Sequence, residues 1–294
     1  MFADQDKDER PLAPGLYLVA TPIGNLEDIT LRALRVLRRA DRIACEDTRQ
    51  TQKLLNHFEI RTPTVSYHMH NEGTRTEELV AELKQGARIA VVSDAGTPGI
   101  ADPGGQIVTA ALAAGVDVFP VPGANAAISG LIASGLPTER FTFHGFLPAK
   151  AGQRKTALEE LPRGETTHVF YEAPHRILDT LADLEAVFGD AQHVVIAREL
   201  TKLHEEFLRG SVDALRAELA TRASIRGEIV LLFTLNPAEN SSQKKKTSLA
   251  GEVSALMKLE GISEMDALKR VARERGIGKS EAYRELQREQ NRLR

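Results

Sequence analysis

A twelve-residue segment, Ser93–Gly104 (SDAGTPGIADPG), constrains the fold of this chain more than any other feature. It follows the apolar run Arg88–Val92 (RIAVV), whose length and β-branched content are typical of a buried parallel strand. Gly96, Gly99 and Gly104 carry no Cβ, so this backbone can approach a ligand closely, and the two prolines keep the turn rigid. An ordinary tight connection would have the same composition, so the ligand-binding interpretation needs support from elsewhere in the chain.

Two further loops that contain glycine and proline also follow predicted strands. Thr21–Asn25 (TPIGN) follows the strand predicted over residues 15–20, and Pro122–Ala127 (PGANAA) follows the strand predicted over residues 116–121. Ligand crevices in α/β sheets lie outside the carboxyl ends of the strands, so three loops converging there would line a pocket with backbone groups. Such a pocket suits an adenosyl ligand with a polar tail, because amides and carbonyls can hydrogen-bond both its purine edge and its amino-acid end.

Strand-like and helix-like stretches alternate, which predicts an α/β fold of two lobes with helices on both faces of a sheet. The N-terminal lobe is predicted over residues 15–121 and the C-terminal lobe over residues 122–235. The predicted strands cover residues 15–20, 42–45, 64–67, 88–92, 116–121, 141–146, 167–171, 193–197 and 228–235. The predicted helices cover residues 28–39, 77–85, 107–114, 125–134, 176–188 and 212–221, with another helix through Leu54 and Leu55.

The two ends of the chain differ in composition from these lobes. Residues 1–14 are predicted to be a disordered tail, and residues 236–248, which are polar and nearly free of apolar side chains, a linker. Residues 249–294 contain three short helical patterns, and a glycine turn before the last one is typical of a helix-turn-helix-like module. The sequence therefore predicts a small all-α module after the second lobe.

This C-terminal module is basic, whereas the rest of the chain is acidic. From Lys244 to Arg294 there are 13 basic and 8 acidic residues, against 25 and 33 in the remainder. A basic module on an acidic body is typical of contact with a polyanion, and Lys279, Arg284 and Arg288 are predicted to contact an RNA phosphate backbone. A packing appendage or a dimer brace is the alternative interpretation.

The composition also argues against several classes of protein. There is no apolar run long enough to span a membrane, and the N-terminal residues are polar and acidic, unlike a secretory signal. Cys45 is the single cysteine, which excludes an internal disulfide and a cysteine-based zinc site. No dinucleotide-binding glycine motif follows the first strand. We therefore expect a cytoplasmic protein with no membrane contact and no metal.

Seven motifs together resemble the tetrapyrrole methylase superfamily and, more narrowly, its ribosomal RNA branch. They are TPIGN, CEDTR at Cys45–Arg49, HNE at His70–Glu72, SDAGTPGIADPG, VPGAN, FYEAPHR and ARELTK. Each motif alone is weak, but the combination is specific and runs from about residue 15 to residue 235. The chain departs from the family pattern in its first loop, where Thr21-Pro22-Ile23 replaces a Gly-x-Gly sequence.

The resemblance implies a two-lobed α/β enzyme of the tetrapyrrole-methylase-like fold that binds S-adenosylmethionine in the cleft between its lobes. It implies methyl transfer to the ribose 2′-hydroxyl of a cytidine in the decoding centre of 16S rRNA, within the small ribosomal subunit, by a homodimer. Motif matching places the cofactor contacts on Pro22, Asp94, Ala95, Gly96, Thr97, Ile100, Pro122, Asn125, Ala126, Tyr171 and Gly227.

Polar clusters that follow predicted strands are the candidates for catalysis and substrate binding. A ribose hydroxyl is a poor nucleophile at neutral pH, so a nearby base or cation should assist it. The hypothesis is that five residues flank the target ribose: Glu46, Asp47, Arg49, Glu199 and Lys202. The remaining candidates for substrate contact are His70, Glu172, His175 and Arg198. For each of them a surface or inter-lobe ion pair is the competing interpretation.

Two other functions remain open from the sequence. One is a methyltransferase of the same fold that acts on a tetrapyrrole or another small molecule. The other is a non-catalytic nucleic-acid-binding regulator built around the C-terminal helices. The basic module and the charged CEDTR and EAPHR clusters favour a polyanionic acceptor over the small molecule.

Overall fold

The computed structural model describes residues 11–235 and, further along, residues 253–254, 256–257, 261, 263–274, 282–284 and 286. The chain divides after Leu235 into two compact units. The first unit contains two five-stranded sheets with helices packed against them, so the predicted α/β class is confirmed. No described helix is both long and apolar enough to cross a membrane.

The first sheet is entirely parallel and takes its strands from the N-terminal lobe. Its strands are β1 (Gly15–Val19), β2 (Arg42–Cys45), β3 (Thr64–Ser66), β4 (Arg88–Val92) and β5 (Val118–Val121), in the order β3-β2-β4-β1-β5. The connecting helices are α1 (Leu31–Arg39), α2 (Thr48–His57), α3 (Glu72–Lys84) and α4 (Gly105–Ala113). Because every strand runs the same way, the loops after β1, β2, β4 and β5 meet at one edge of the sheet.

Alternate residues of the first sheet enter two separate cores. Leu16 packs with Leu79 and Ile107 on one face, whereas its neighbour Tyr17 packs with Val36 and other residues on the opposite face. This two-sided burial explains why these strands are continuous apolar runs in the sequence. Before β1, the carbonyls of residues 12 and 13 accept hydrogen bonds from side chains of the sheet, so this part of the predicted tail is tied to the lobe.

The second sheet is mixed and takes its strands from the C-terminal lobe. Its strands are β6 (Phe141–Phe146), β7 (Thr167–Glu172), β8 (His193–Arg198), β9 (Glu206–Ser211) and β10 (Ile229–Thr234), in the order β6-β7-β10-β8-β9. β6 and β7 are parallel, and the other pairs are antiparallel. The helices are α5 (Ala126–Ser134), α6 (Ala151–Glu159), α7 (Ile177–Phe188) and α8 (Val212–Ala220). Helices α6, α7 and α8 contribute to the core on one face, and α5 to the core on the other.

Three elements of the first unit depart most from the sequence prediction, and the bounds given for the others agree to within three residues. The edge strand β9 and helix α6 have no predicted counterpart, and α3 begins at Glu72 rather than at residue 77. Helix α6 lacks an apolar stripe because one of its buried residues is Arg154, whose charge is balanced by Asp183 at 2.7 Å. β9 has a neighbour on one side alone and carries charged residues, so no apolar run marks it.

In the C-terminal unit the structure describes one longer helix, α9 (Glu264–Glu274), where the sequence predicts a helix over residues 263–275. The hydroxyl of Ser263 accepts a hydrogen bond from the Asp266 amide at 3.2 Å, as an N-cap does. Residues on α9 pack with Val253, Ala282 and Leu286 into a small apolar core. Arg284 lies in a described helical segment, whereas Lys279, Arg288 and the predicted linker lie outside the described residues.

Candidate active site

A cavity of about 410 Å³ lies between the two lobes, at the edge where the strands of the first sheet end. The N-terminal lobe lines it with Ile23, Glu46, Asp94, Ala95, Gly96, Thr97, Ile100, Ala101 and Asp102. The C-terminal lobe lines it with Ala126, Phe146, Tyr171, Glu172, Ala173, Pro174, Leu200, Glu228, Ile229 and Val230. A cleft of this size suits a small-molecule ligand or cofactor.

The TPIGN loop (Thr21–Asn25) and the SDAGTPGIADPG loop (Ser93–Gly104) are joined by a pair of backbone hydrogen bonds. The Thr21 amide donates to the Gly96 carbonyl at 2.9 Å, and the Gly96 amide donates to the Thr21 carbonyl at 3.0 Å. Gly96 has a φ of +84°, which a side chain rarely adopts, and a Cβ there would lie 3.2 Å from Ile23 Cγ2. The glycine at this position therefore lets the SDAGTP and TPIGN loops lie against each other along the cavity.

The PGANAA loop (Pro122–Ala127) is held against the SDAGTPGIADPG loop by side-chain hydrogen bonds. The Thr97 hydroxyl donates to the Ala124 carbonyl at 3.2 Å and accepts from the Asn125 side-chain amide at 3.2 Å. Asn125 also caps α5 by accepting a hydrogen bond from the Ile128 amide at 3.1 Å. The three loops therefore converge at one place, as the sequence predicts. Of the predicted cofactor contacts, Pro22, Pro122, Asn125 and Gly227 are not among the residues that line the cavity.

Three carboxylates, Glu46, Asp94 and Asp102, lie on the N-terminal wall of the cavity. Burial and the nearby Glu46 charge raise the pKa of Asp102 from 3.8 to about 6. Burial and the Asp94 charge also raise the pKa of Glu46. Burial and the neighbouring carboxylates therefore disfavour the ionised forms here, and a cationic ligand beside these groups would favour ionisation.

Most of the other residues that line the cavity, from both lobes, are apolar. Ile23, Leu200 and Val230 are buried and belong to one hydrophobic cluster, against which Tyr171 packs. Burial raises the pKa of the Tyr171 phenol, which therefore stays neutral over the physiological range. The cavity thus has one acidic wall and one apolar wall.

Two predicted catalytic residues, Asp47 and Arg49, lie at the start of α2 and not in the cavity. Arg49 has 88% of its side chain exposed and forms an ion pair with Asp47 at 3.2 Å. Asp47 caps α2 by accepting a hydrogen bond from the Arg49 amide at 2.8 Å. Arg49 lines a separate shallow groove together with Thr48, Gln52, Lys53, Asn56 and Thr64. Of the CEDTR motif, Glu46 therefore reaches the cavity and Arg49 points to an outer surface.

Glu199 and Lys202 lie in the β8–β9 loop at the rim of the cavity and bind each other. Lys202 Nζ is 2.7 Å from Glu199 and 3.1 Å from Glu228. A Cβ on Gly227 would overlap the Glu199 carboxyl group, so this glycine makes room for the ion pair. Thr201 in the same loop has a φ of +66°, a strained value for a β-branched residue, and its neighbour Leu200 lines the cavity.

Two of the predicted substrate contacts, Glu172 and Arg198, instead form ion pairs and hydrogen bonds with neighbouring side chains of the C-terminal lobe. The Glu172 carboxylate is fully buried and accepts hydrogen bonds from the Ala173 amide at 2.7 Å and the Thr180 hydroxyl at 2.7 Å, and it pairs with Arg176. It thereby holds the turn that leads into α7 and is not available to a substrate. The Arg198 guanidinium is 2.9 Å from Glu206 on the neighbouring strand, so it links β8 to β9. His70 and His175 are exposed residues that do not line the cavity.

Sequence reasoning missed several residues that line the cavity, above all Asp102 and Phe146. Asp102 lies inside the SDAGTPGIADPG segment, and a charge at the end of a glycine-rich loop is the signal that could have identified it. Phe146 lies at the end of β6, and its orientation depends on a change in strand register that the sequence does not reveal. Among the described residues, no three His, Cys, Asp or Glu side chains are grouped so that they could hold a metal ion.

The family model for tetrapyrrole (corrin/porphyrin) methylases matches residues 15–216, which include the first sheet and every strand of the second sheet except β10. The chain belongs to this family of methyltransferases, and the cofactor is S-adenosylmethionine, as the motifs imply.

Curated relatives match nearly the whole chain. A protein of Halalkalibacterium halodurans is 48% identical over 96% of this chain and 98% of its own length. A protein of Synechocystis is 46% identical over 91% of this chain and 95% of its own length. A protein of Bacillus subtilis is 43% identical over 91% of this chain and 92% of its own length. All three are named ribosomal RNA small subunit methyltransferase I, and this chain is a member of that branch of the family.

Solved structures show the same fold at lower identity. Uroporphyrin-III-C-methyltransferase from Thermus thermophilus superposes with a TM-score of 0.53 and 24% identity over 75% of this chain and 94% of that one. Diphthine synthase superposes with a TM-score of 0.54 and 15% identity over 74% and 89%. These likenesses concern the fold, and the acceptors in the two names differ from each other.

The cavity fits S-adenosylmethionine by size and by charge. The cofactor carries a sulfonium and an ammonium group, and both cations match the acidic wall of Glu46, Asp94 and Asp102. Its adenosine matches the apolar wall, and the backbone around Gly96 can approach it closely. When bound, the cofactor supplies a methyl group on a positively charged sulfur, which is an excellent leaving group.

Proposed function

We propose that this methyltransferase methylates the ribose 2′-hydroxyl of a cytidine in the decoding centre of 16S rRNA. The observation that carries the proposal is the acidic inter-lobe cavity in a chain that matches ribosomal RNA small subunit methyltransferases I over almost its whole length. The assembled small subunit is the proposed form of the substrate, and a homodimer in the cytoplasm the proposed form of the enzyme.

Some residues at the cavity are proposed to bind the cofactor, and others to contact the acceptor ribose. The backbone of the three converging loops would position the cofactor, and Asp102 and Asp94 would neutralise its charge. Alignment of acceptor oxygen and methyl carbon supplies most of the acceleration for such a good leaving group. The hypothesis that five residues flank the ribose then narrows to Glu46 on the wall and to Glu199 and Lys202 at the rim.

Glu46 is the proposed acceptor of the hydroxyl proton. Its raised pKa brings the carboxylate closer to the working pH, which suits a general base. Replacement by Gln keeps the shape of the side chain and removes the basic oxygen. We expect Glu46→Gln to weaken S-adenosylmethionine binding, because Glu46 belongs to the acidic wall, and to lower the turnover rate at saturating cofactor by about 100-fold or more. Full turnover in this variant would exclude Glu46 as the base.

The shallow groove that contains Arg49 is the proposed contact for RNA phosphates. It carries Arg49 and Lys53 on α2, which begins at Thr48, two residues after Glu46. Charge reversal in Lys53→Glu should weaken RNA binding and reduce its salt dependence by about one counterion. The matched control is Lys84→Glu, because Lys84 ends α3 shortly before β4 begins, near the amino-terminal ends of the strands and away from the cavity. Equal salt slopes for both variants would contradict this assignment.

The decisive experiment offers labelled S-adenosylmethionine with three acceptors: small ribosomal subunits, naked 16S rRNA and a porphyrin precursor. We expect label in the ribosomal RNA, and we expect the labelled position to resist alkaline hydrolysis, since a 2′-O-methyl group removes the internal nucleophile. Label on a base or on the porphyrin would overturn the proposal. Binding of nucleic acid without any transfer would favour a non-catalytic regulator.

A further inference from the structure

The last strand residue before the cavity, Phe146, is positioned by an irregularity in the pairing of β6 with β7. Phe141, Thr142 and Phe143 pair in order with residues 167, 168 and 169, but Phe146 pairs with Tyr171. Three steps along β6 therefore correspond to two steps along β7. Gly145 within this bulge has a φ of +68°, and no atom lies close enough to oppose a Cβ there, so the backbone conformation is what requires glycine.

The bulge moves the Phe146 ring to the face of the sheet that borders the cavity. His144 stacks on Phe170 at 4.6 Å on one face, whereas Phe143 contacts Tyr171 at 4.8 Å on the other. Strict alternation would place Phe146 on the same face as His144. With the extra residue, Phe146 instead lies 5.7 Å from Tyr171 and lines the cavity. Bulges that redirect one side chain are common next to active sites.

The Phe146 ring is exposed and yet held in place. It has 56% of its surface exposed, although it lies beside a cavity whose apolar wall is buried. The Arg176 guanidinium lies 5.9 Å from the ring centroid, and it is itself fixed by Glu172 and by the Leu147 carbonyl at 3.1 Å. A ring held by its neighbours loses little conformational freedom when a ligand covers it.

We propose that Phe146 is the platform on which the base of the acceptor nucleotide stacks. The inference rests on the proposed function, because an enzyme that acts on a ribose within RNA must also accommodate the attached base. Bases taken out of a helical stack are commonly received on aromatic side chains. The buried apolar wall of Ile23, Leu200 and Val230 suits the cofactor, which leaves the exposed ring at the rim for the acceptor.

The test compares substitutions at Phe146 in steady-state methylation of small ribosomal subunits. Stacking of one base corresponds to about 1–3 kcal/mol, so Phe146→Ala should lower kcat/KM by about 5- to 150-fold. Phe146→Leu should remain impaired because it is apolar without a π face, and Phe146→Trp should recover most of the activity. S-adenosylmethionine affinity by calorimetry should stay within twofold in all three variants. Phe141→Ala is the matched control: Phe141 is an exposed phenylalanine of the same strand that does not line the cavity.

Three results would overturn the inference. They are activity of Phe146→Ala within twofold of the wild type, equal losses in Phe146→Ala and Phe141→Ala, or a loss of cofactor affinity that matches the loss of activity. The last result would assign the ring to the adenine of the cofactor.

A second measurement keeps this inference separate from the proposed function. Saturation-transfer NMR of free cytidine with the enzyme bound to S-adenosylhomocysteine should show contact at the base protons, and Phe146→Ala should abolish it. If wild-type enzyme fails to methylate ribosomal RNA but this contact depends on Phe146, the proposed function fails and the platform stands. If the contact is absent from the wild type, the platform fails.

Discussion

Replacement of Asp102 by Asn should change stability and cofactor binding in opposite directions. Burial and the Glu46 charge disfavour the ionised carboxylate in the protein without ligand and raise the pKa of Asp102 to about 6. The difference from its ordinary value of 3.8 corresponds to at most about 3 kcal/mol, and solvent screening of this partly exposed carboxyl group lowers that figure. The amide also resists burial, so the gain in folding free energy from Asp102→Asn should be about 1–3 kcal/mol at pH 8.

The sign of this effect follows from proton linkage. A folded-state pKa above the unfolded value means that the stabilising contribution of Asp102 is present below pH 3.8 and is lost as the pH rises through about 6. Wild type and Asp102→Asn should therefore have similar stability near pH 4 and differ most above pH 7. Urea unfolding at several pH values measures this difference.

Binding of the cationic cofactor should reverse the preference of Asp102. A positive charge beside the carboxylate favours its ionised form and lowers the pKa of Asp102, so binding at pH 6 should release about half a proton. If the ionised form alone binds well, affinity should fall about tenfold between pH 8 and pH 5. Protonation of Glu46, whose pKa is also raised, acts in the same direction.

Calorimetry in buffers of different ionisation enthalpy measures the released proton directly. Asp102→Asn should bind S-adenosylmethionine more weakly at pH 8 and release much less proton at pH 6. The control is Asp117→Asn, which removes one charge just before β5, at the amino-terminal ends of the strands and away from the cavity. Equal wild-type affinity at pH 5 and pH 8, with no proton released at pH 6, would refute the reasoning.

Three further predictions concern the loops and the core. Gly96→Ala should weaken S-adenosylmethionine binding by tenfold or more in a calorimetric titration, because a φ of +84° and the close neighbouring loop both oppose a Cβ. Asp183→Ala should lower the free energy of unfolding in urea by about 3–5 kcal/mol, since it leaves Arg154 charged and buried without its partner. Burial lowers the pKa values of His144 and His168, whose ring nitrogens lie 3.0 Å apart, so the stability they contribute is full above about pH 6.5 and is lost as the pH falls through their folded-state values. His168→Gln should make the decrease in stability between pH 6.5 and 5.5 shallower, and an unchanged slope would argue against this pair as its source.

Much of the fold could be predicted because its strands are buried on both faces. Such strands are short apolar runs, and the predictions for β2 and β4 have the bounds that the structure shows. The predicted bounds of β6, an exposed edge strand rich in phenylalanine, also agree. Strand β9 could not be predicted because an edge strand with charged residues lacks that pattern. Helix α6 was missed for a related reason, since it buries Arg154, a residue that a sequence pattern assigns to the surface.

By itself the sequence determined the family, the order of strands and helices along the chain, and the three loops that converge. These depend on local rules: glycines where backbone conformation or close approach requires them, and apolar runs where strands are buried. Tertiary structure alone decided which charged residues reach the cavity. Within the CEDTR motif, Glu46 lines the cavity while Arg49 faces the outer groove. Glu172 instead forms an ion pair with Arg176 and accepts a hydrogen bond from Thr180. The selection depends on how each strand passes into the following helix, and this geometry forms only when the strands and helices pack together.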